Sequence, residues 1–454
     1  MDLASRVEPF VDDALIDKSR NVSLKLHPPM PREVCIRFNK PWEGMVSGYV
    51  TVLEDQGAYR MYYRGSASAR DHIGEVTCVA TSTDGLKWTR PELGLYEVDG
   101  SSANNIVWMG ESSHNFGPFV DTNPDCKPSE RYKAFGSLRG KGLAGFSSRD
   151  GYSWKHVRKQ PLITQGAFDS LNTGLWDPLT GQYMAWVRTW TPPGYRGPIP
   201  EIGTTNWHGL RSIGLATSRD FINWSDTMEC DYGDTEREHL YTNSIVPYPR
   251  APHIFIGFPK RFMPTRKLKP DHPDVGISDG VFMCSRDGLH WDRRFMEAFI
   301  RPGRDLGNWG DRSNCVARGV LQTADDELSI YYSEHYRHGT SRVRRATVRL
   351  DGFVSVNAPH RGGEFTTVPL TFTGSRLVIN YATSAVGSVQ VEVRDAAGKP
   401  ISGFGLRQCP EIYGDEIGRT VTWNGGADLS ALAGKPIRLR FVMKDADLYS
   451  LQFV

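Results

Sequence analysis

A short motif built around an Asp-Gly turn recurs along the chain, and this repeat constrains the fold more than any other feature. The motif reads Ser/Thr-x-Asp-Gly-x-x-Trp, with Phe221 in place of glycine in one copy. Four copies occupy residues 82–88, 148–154, 218–224 and 285–291, and a degenerate fifth occupies 349–353. The aspartates, at positions 84, 150, 220, 287 and 351, are 66, 70, 67 and 64 residues apart. Such a near-constant period indicates a repeat architecture.

Each copy is preceded by segments that are typical of β-strands. Asp-Gly between two such segments marks a hairpin turn, because Gly accepts positive φ and the Asp side chain bonds nearby amides. Aligned second strands are predicted at residues 59–64, 132–135, 183–188, 254–258 and 328–332. They are too short and too rich in aromatic and β-branched residues for a helical repeat. Five units of four strands predict a five-bladed β-propeller.

The pattern changes near residue 362, where strand-like segments continue without the turn motif. Alternating segments at 377–381, 389–393 and 437–442 predict a β-sandwich over residues 362–454. The predicted fold class is therefore all-β, with a propeller catalytic domain at 41–361 followed by the sandwich. Residues 1–40 are predicted to be an N-terminal arm packed on the propeller. The 46 glycines, 28 prolines and 11% aromatic content suit many short strands.

Charge and cysteine content exclude several classes of function. The chain has 54 basic and 52 acidic residues, so its net charge of +2 predicts no binding to nucleic acid or membranes. Seven scattered cysteines without a CxxC pair argue against a disulfide framework or a structural zinc site. The first residues lack a basic segment followed by an apolar stretch. We expect a cytoplasmic protein as written, or a periplasmic or secreted one if a signal peptide has been removed.

The repeat also predicts where a site lies, because propellers place function around the central axis at one face. The starts of the inner strands are 42–43, 114–115, 168–169, 238–239 and 311–312. Three of these positions carry carboxylates, Glu43, Asp169 and Glu238, which are predicted to be catalytic. Converging carboxylates raise one another's pKa, so that one acts as an acid while another stays ionised. The alternative is that each carboxylate caps a strand or pairs with an arginine.

Further residues at the same face are predicted to bind the substrate. The arginines among them either hold the carboxylates or bind a carboxylate or sulfate of the ligand, so an anionic sugar is one option. Trp42 and Trp309 either stack on a sugar or belong to the core, and Asp279 is either a fourth acid or a turn residue. The predicted binding residues are Trp42, Arg64, Asn115, Arg188, Tyr241, Asn243, Arg261, Asp279, Trp309, Arg312, Glu334 and His335.

Motifs for metal and nucleotide chemistry are absent from the sequence. It contains no HExxH metal motif, no GxSxG elbow and no P-loop. The sequence therefore predicts no metal and no cofactor, and it leaves the oligomeric state open.

With the repeat and the acids in place, the chain resembles the five-bladed propeller glycoside hydrolases around families 32 and 43. The Ser-Arg-Asp-Gly-Leu-x-Trp turn carries this resemblance, and family 32 enzymes also have a C-terminal sandwich. Segments 10–13, 237–243, 257–262 and 445–450 are similar to a bacterial glycosyl hydrolase group without a defined substrate. The Trp-x-Asn-Asp-Pro, Arg-Asp-Pro and Glu-Cys motifs of family 32 do not stand here in the expected order. The resemblance therefore implies neither a nucleophile nor fructan specificity.

Together these features predict an exo-acting glycoside hydrolase for a plant or algal oligosaccharide or polysaccharide. Glu238 and Asp169 are the candidates for acid and for base or nucleophile, and Glu43 positions the sugar or tunes a pKa. One alternative is a carbohydrate-binding propeller without catalysis. Another is a sialidase-like enzyme or lyase for an acidic sugar, in which Tyr241 is the nucleophile or base.

Overall fold

The computed structural model describes residues 1–66, 74–192, 194–202 and 209–454. They form two compact units. The propeller unit comprises Met30–Thr323 and Ser329–Thr347. The second unit comprises Met1–Pro29, Ala324–Leu328 and Val348–Val454.

The propeller unit has five blades, which confirms the predicted fold class. Blade 1 consists of the strands Gly48–Asp55, Ala58–Gly65, Val76–Ser82 and Ile106–Met109. Blade 2 consists of Gly117–Val120, Tyr132–Leu138, Gly142–Ser148 and Lys155–His156. Blade 3 consists of Thr173–Asp177, Gln182–Thr191, Leu210–Ser218 and Met228–Glu229. Blade 4 is Val246–Tyr248, Ala251–Gly257, Met283–Ser285 and Trp291–Asp292, with an additional hairpin of Lys260–Met263 and Ile277–Gly280. Blade 5 contains Cys315–Val316, Leu321–Ala324, Glu327–Glu334 and Arg342–Arg349. Short 3-10 helices lie at Ser113–Asn115, Pro128–Glu130 and Leu306–Asn308.

The first four repeat motifs form the same turn. In blade 1, Asp84 Oδ1 accepts hydrogen bonds from the amides of Leu86 and Lys87, both at 2.8 Å. The Trp88 indole N–H donates to the Gly85 carbonyl at 3.1 Å. Matching bonds occur around Asp150, Asp220 and Asp287.

These turns also join neighbouring blades. Tyr62 of blade 1 donates to the Gly151 carbonyl in the blade 2 turn at 2.9 Å. Trp186 of blade 3 donates to the Gly288 carbonyl in the blade 4 turn at 2.8 Å. The motif therefore closes a hairpin in each of these four copies, and in blades 2 and 4 it also gives the preceding blade a hydrogen-bond acceptor.

The fifth blade is completed by the N-terminal segment. Met30–Arg37 pairs antiparallel with Arg342–Arg349 and forms the outermost strand of this blade. Residues 1–40 were predicted to be an arm packed on the propeller, whereas the structure divides them between this strand and the second unit. Blade 5 takes its outermost strand from the N-terminal segment because the degenerate motif at 349–353 lacks the tryptophan and is not followed by an outer strand of its own. Asp351 is instead fully buried and accepts a hydrogen bond from Ser450 at 2.8 Å.

The second unit is a β structure built around two long strands, Leu377–Asp395 and Ile437–Phe453, which pair along their length. Both are interrupted near their middle, where the register shifts between Thr383 and Ser388. Buried residues from both halves of each strand belong to one hydrophobic cluster, so the sheet folds over a single core. The other strands are Asp2–Ala4, Glu8–Pro9, Ile16–Arg20, Ser23–Leu26, Val354–Ala358, Gly363–Thr367, Thr371–Phe372 and Asp415–Thr420, with a 3-10 helix at Ser430–Leu432.

Within the described ranges, no helix has the length and apolar character needed to cross a membrane.

Candidate active site

A cavity of about 650 Å³ opens in the propeller unit where the inner strands begin. Its volume is in the range of small-molecule sites. All five blades contribute to it, from the segments before the inner strands and from the ends of second strands. Polar and aromatic residues that line it are Tyr49, Arg64, Glu75, Glu111, His114, Arg139, Phe168, Asp169, Tyr241, Arg312 and Tyr336.

On the blade 1 side, Arg64 is buried and its hydrogen-bonding capacity is largely used. Its guanidinium donates to the Val46 carbonyl and, at 3.1 Å, to the Tyr336 hydroxyl. Glu75 lies 3.7 Å from Arg64 and 3.0 Å from the His114 ring. This side of the cavity therefore balances its cations with a carboxylate.

In the blade 4 part of the lining, Tyr241 is surrounded by cationic side chains and lies close to Tyr49. The Lys260 ammonium lies 4.1 Å from the centre of the Tyr241 ring, and the guanidinium of Arg188 lies 4.4 Å from it. Arg211 and Arg312 follow at 5.0 and 5.7 Å. Cations over an aromatic face are attracted by the ring's negative quadrupole, and more strongly if the ring is a phenolate.

Carboxylates are fewer around Tyr241 than cations. Asp169 lies 2.9 Å from Arg188, and Asp311 lies 3.4 Å from Arg312. Among the described residues these are the carboxylates that pair with the four cations. Burial raises the pKa of Tyr241, but the charges of Arg188, Arg312 and Lys260 outweigh burial and lower it to about 8. The Tyr241 hydroxyl therefore ionises at a lower pH than an ordinary tyrosine.

Of the predicted catalytic carboxylates, Asp169 lines the cavity and has a side chain that is 60% exposed. Glu43 is buried and does not line it. Its carboxylate accepts hydrogen bonds from Tyr63 at 2.6 Å and from Arg90 at 2.8 and 3.0 Å. These bonds match the alternative interpretation, in which a carboxylate at this position pairs with an arginine.

Glu238 also lies outside the cavity. It pairs with Arg261 at 3.1 Å and with Arg293 at 2.9 Å, beside a separate space of about 10 Å³. A space of that size holds about one water molecule. The structure thus brings one of the three predicted carboxylates into the cavity, and their predicted convergence is not what it shows.

Among the predicted binding residues, Arg64, Tyr241 and Arg312 line the cavity. Arg188 lies directly behind it, 2% exposed, in contact with Tyr241 and Asp169. The remaining predicted binding residues lie outside the cavity lining and contact other parts of the protein.

Asn115 and Asn243 are buried links between backbone segments. Asn115 donates to the carbonyls of Phe168 and Ser170, and Asn243 donates to the Trp186 carbonyl. Both asparagines therefore tie together neighbouring blades or strands. They are not among the residues that line the cavity.

The other predicted binding residues also lie outside the lining. Arg261 holds Asp279 with two bonds at 2.6 and 2.8 Å. Glu334 pairs with two arginines, and His335 pairs with an aspartate. Trp42 and Trp309 use their indole N–H groups on the Asn105 side chain and the Gly303 carbonyl.

Sequence reasoning missed several residues of the cavity. Tyr336 directly follows His335 at the end of a second strand, so a slightly wider window of the repeat alignment finds it. Lys260, which contacts the lining residue Tyr241 without lining the cavity itself, stands beside the predicted Arg261 in the same way. Tyr49 and Glu75 lie at the second position of an inner strand and just before a third strand, positions that the alignment did not consider. No group of three or more His, Cys, Asp or Glu side chains suited to a metal occurs within the described part of the chain.

Comparison with known proteins gives a fold-level likeness. No protein-family model and no curated protein matches the sequence. A glycoside hydrolase family 43 arabinoxylan arabinofuranohydrolase from Bacillus subtilis aligns with 91% of this chain and 96% of its own, at 12% identity and a TM-score of 0.42.

Two other solved structures align over the propeller-sized part of the chain. An N-acetylgalactosamine deacetylase from F. plautii covers 72% of this chain and 95% of its own, at 14% identity and a TM-score of 0.45. A β-1,2-mannobiose phosphorylase from Listeria innocua covers 72% and 97%, at 12% identity and a TM-score of 0.44. These proteins carry out different reactions on carbohydrates, and no residue role is transferred from them.

Proposed function

We propose that this chain is a carbohydrate-active enzyme that cleaves an acidic glycan in the propeller cavity, with Tyr241 as the base or nucleophile. The observation that carries the proposal is the position of Tyr241, which lines the cavity beneath four cationic side chains. A reacting group is most effective when its pKa lies near the working pH. A pKa of about 8 meets this condition for Tyr241, whereas an ordinary tyrosine titrates near 10.

The excess of cations supports an anionic substrate. Arg312 lines the cavity and its side chain is 30% exposed, so it retains surface with which to meet a ligand. Its charge faces the rings of Tyr241 and Tyr336 at 5.7 and 6.0 Å. A planar guanidinium binds a sugar carboxylate through paired hydrogen bonds. Binding there brings the acidic sugar residue next to the Tyr241 hydroxyl.

Two reactions suit this arrangement, and their products distinguish them. As a base, the Tyr241 phenolate removes the proton from the carbon that bears the carboxylate, the C–O bond on the neighbouring carbon breaks, and a C=C bond forms in the resulting unsaturated uronate. The leaving glycosidic oxygen takes the proton from the Tyr241 phenol, which restores the phenolate. As a nucleophile, the phenolate bonds to the anomeric carbon while the glycosidic C–O bond breaks and the leaving oxygen takes a proton from water; a second water then displaces Tyr241 and releases a saturated sugar. In both reactions the arginines offset the charge of the substrate carboxylate.

The carboxylates that line the cavity argue against a reaction based on paired acids. Glu75 pairs with His114 and Arg64, Asp169 pairs with Arg188, and Glu111 lies 3.9 Å from Lys141. Glycoside hydrolysis by two carboxyl groups needs both of them directed at the glycosidic bond, whereas each of these carboxylates is directed at a cation of the protein.

A second candidate follows from the exposure of Asp169. In this candidate the chain is an exo-acting glycoside hydrolase for a plant or algal glycan, with Asp169 and Glu238 as acid and base or nucleophile. Because Glu238 lies outside the cavity, this reaction requires its carboxylate to leave Arg261 and Arg293 when substrate binds.

The experiment compares uronate-containing and sialylated glycans with the same glycans after reduction of their carboxyl groups. We expect cleavage of an acidic glycan and at least a hundredfold lower kcat/KM on its reduced counterpart. Ultraviolet absorbance of the product identifies the unsaturated sugar, and mass spectrometry identifies a hydrolysed one. Equal rates on acidic and reduced glycans would contradict the proposal. Loss of activity in both Asp169→Asn and Glu238→Gln, with Tyr241→Phe active, would establish the second candidate.

A further inference from the structure

Lys260 is a buried lysine that takes no direct part in the proposed reaction. It is 1% exposed, and burial lowers its pKa. Within the described ranges, no carboxylate lies within ion-pairing distance of its ammonium. Burying an unpaired ammonium is costly, so Lys260 stays charged only if a compensating negative charge lies nearby.

The backbone fixes Lys260 against Tyr241. The Tyr241 amide donates to the Lys260 carbonyl at 2.7 Å, and the Lys260 amide donates to the Thr242 hydroxyl at 3.1 Å. The two side chains therefore leave paired backbone positions, and the ammonium lies 4.1 Å from the centre of the Tyr241 ring. The same ammonium is 5.9 Å from the ring of Tyr49.

A second buried lysine shows the usual solution to the same problem. Lys133 in blade 2 has a side chain that is 4% exposed, but it lies 3.0 Å from Asp121 and 3.5 Å from Glu130. Lys260 has the Cys315 thiol and the Tyr241 phenol near it where Lys133 has carboxylates, and Asp311 lies beyond ion-pairing distance. An ionised Tyr241 supplies the missing negative charge.

We propose that Lys260 is a positioning residue that holds Tyr241 as a phenolate by forming a buried ammonium–phenolate pair. The pair gives the proposed enzyme its reactive base or nucleophile before substrate arrives, and to that extent the inference rests on the proposed function. The ionisable groups that face Tyr241 from the surrounding elements are Tyr49, Asp169, Arg188, Arg211, Lys260 and Arg312. Of the cations in this set, Lys260 and Arg211 have no carboxylate within ion-pairing distance among the described residues, and Lys260 is the closer of the two to the ring.

The test is a tyrosinate titration that needs no substrate. Ultraviolet difference spectra of the wild type against Tyr241→Phe isolate the ionisation of Tyr241, which we expect near pH 8. Removing one charge at this distance in Lys260→Met is expected to raise that midpoint by about one pH unit or more. Lys260→Arg keeps the charge and is expected to leave the midpoint within about half a unit.

Lys133→Met is the matched control, because it removes a buried lysine that contacts Phe221 rather than Tyr241. It is expected to leave the Tyr241 midpoint unchanged. An unchanged midpoint in folded Lys260→Met would overturn the inference. So would a wild-type Tyr241 that titrates like an ordinary tyrosine.

A reciprocal measurement covers the case in which Lys260→Met does not fold. In Tyr241→Phe the phenolate is absent, so the pKa of the Lys260 ammonium, followed by NMR of isotope-labelled lysine, is expected to fall below its wild-type value. An equal or higher value would overturn the pair. Because neither titration uses a glycan, a lack of activity on acidic glycans refutes the proposed function without affecting these results.

Discussion

Two buried tyrosines line neighbouring regions of the cavity, and their pKa values are shifted in opposite directions. Burial, together with the nearby Tyr241, raises the pKa of Tyr49 well above its usual value, although Arg64 and Arg312 oppose the rise. Burial acts on Tyr241 as well, yet Arg188, Arg312 and Lys260 lower its pKa to about 8. The difference lies in charge balance.

Near Tyr49, Glu75 offsets the charge of Arg64, and 4.8 Å separates that guanidinium from the Tyr49 ring. Around Tyr241, cations outnumber carboxylates. A tyrosine in this fold is therefore made reactive by the number of unbalanced charges around it, since both tyrosines are equally removed from water.

The largest expected effect is on catalysis, and it compares the two tyrosines directly. Tyr241→Phe is expected to lower kcat/KM on an acidic glycan by about 10²–10⁴-fold, which is the usual contribution of a general base. Tyr49→Phe is expected to lower it less than about tenfold, because an un-ionised phenol contributes packing and hydrogen bonding. The measurement is initial rate against substrate concentration for both variants, with thermal melts as the folding control. Equal losses of kcat/KM in the two variants would contradict the different roles of Tyr241 and Tyr49.

The next prediction concerns the stability contributed by Glu75, the carboxylate that offsets the charge of Arg64 near Tyr49. The side chains of Glu75 and Arg64 are 6% and 3% exposed, so Glu75→Gln leaves a buried arginine without its ionised partner. Loss of one member of a buried pair costs about 3–5 kcal/mol. Urea unfolding followed by tryptophan fluorescence measures this loss. A change below about 1 kcal/mol would show that the Arg64 charge is balanced by other groups.

The pH dependence of stability tests the charge balance around Tyr241. The folded-state pKa of about 8 lies below the unfolded value of about 10, so the folded protein binds fewer protons between these pH values. Stability from this group is present above pH 10 and is lost as the pH falls through 8. Relative to Tyr241→Phe, the wild type is expected to gain about 2–3 kcal/mol on going from pH 7 to pH 10. Parallel curves for the two proteins would contradict the lowered pKa.

The smallest effect is expected at Asp169. This carboxylate is 60% exposed, so its pair with Arg188 is screened by solvent, and Asp169→Asn is expected to change stability by about 1 kcal/mol or less. The variant also leaves one more cation unbalanced beside Tyr241, so its tyrosinate midpoint is expected to fall slightly. A higher midpoint in Asp169→Asn would contradict the charge-balance interpretation of the two tyrosines.

Sequence reasoning predicted the blades because their signal is local. The bonds from Asp84 to the next two amides lie within a few residues, so the motif and the turn coincide. The outer strand of blade 5 has no such signal. Its partners are about 300 residues away in the sequence, and pairing at that separation leaves no local pattern.

The site was predicted by position better than by chemistry. Of the five predicted inner-strand starts, those at 114–115, 168–169 and 311–312 contribute residues to the cavity lining, whereas those at 42–43 and 238–239 do not. Glu43 occupies an equivalent position, but its carboxylate accepts hydrogen bonds from Arg90 and Tyr63. Repeat alignment fixes where a side chain starts, whereas its partners come from other strands that the alignment does not compare.

The outer strand of blade 5 also has a consequence for biosynthesis. Met30–Arg37 leaves the ribosome early, but its partner Arg342–Arg349 is made after the other four blades. An unpaired strand edge is a template for pairing with other chains. During that interval the ring is open and both edges are exposed. The step most exposed to misassembly is therefore ring closure, and a nascent chain that stalls before residue 342 has four blades and no means of joining their ends.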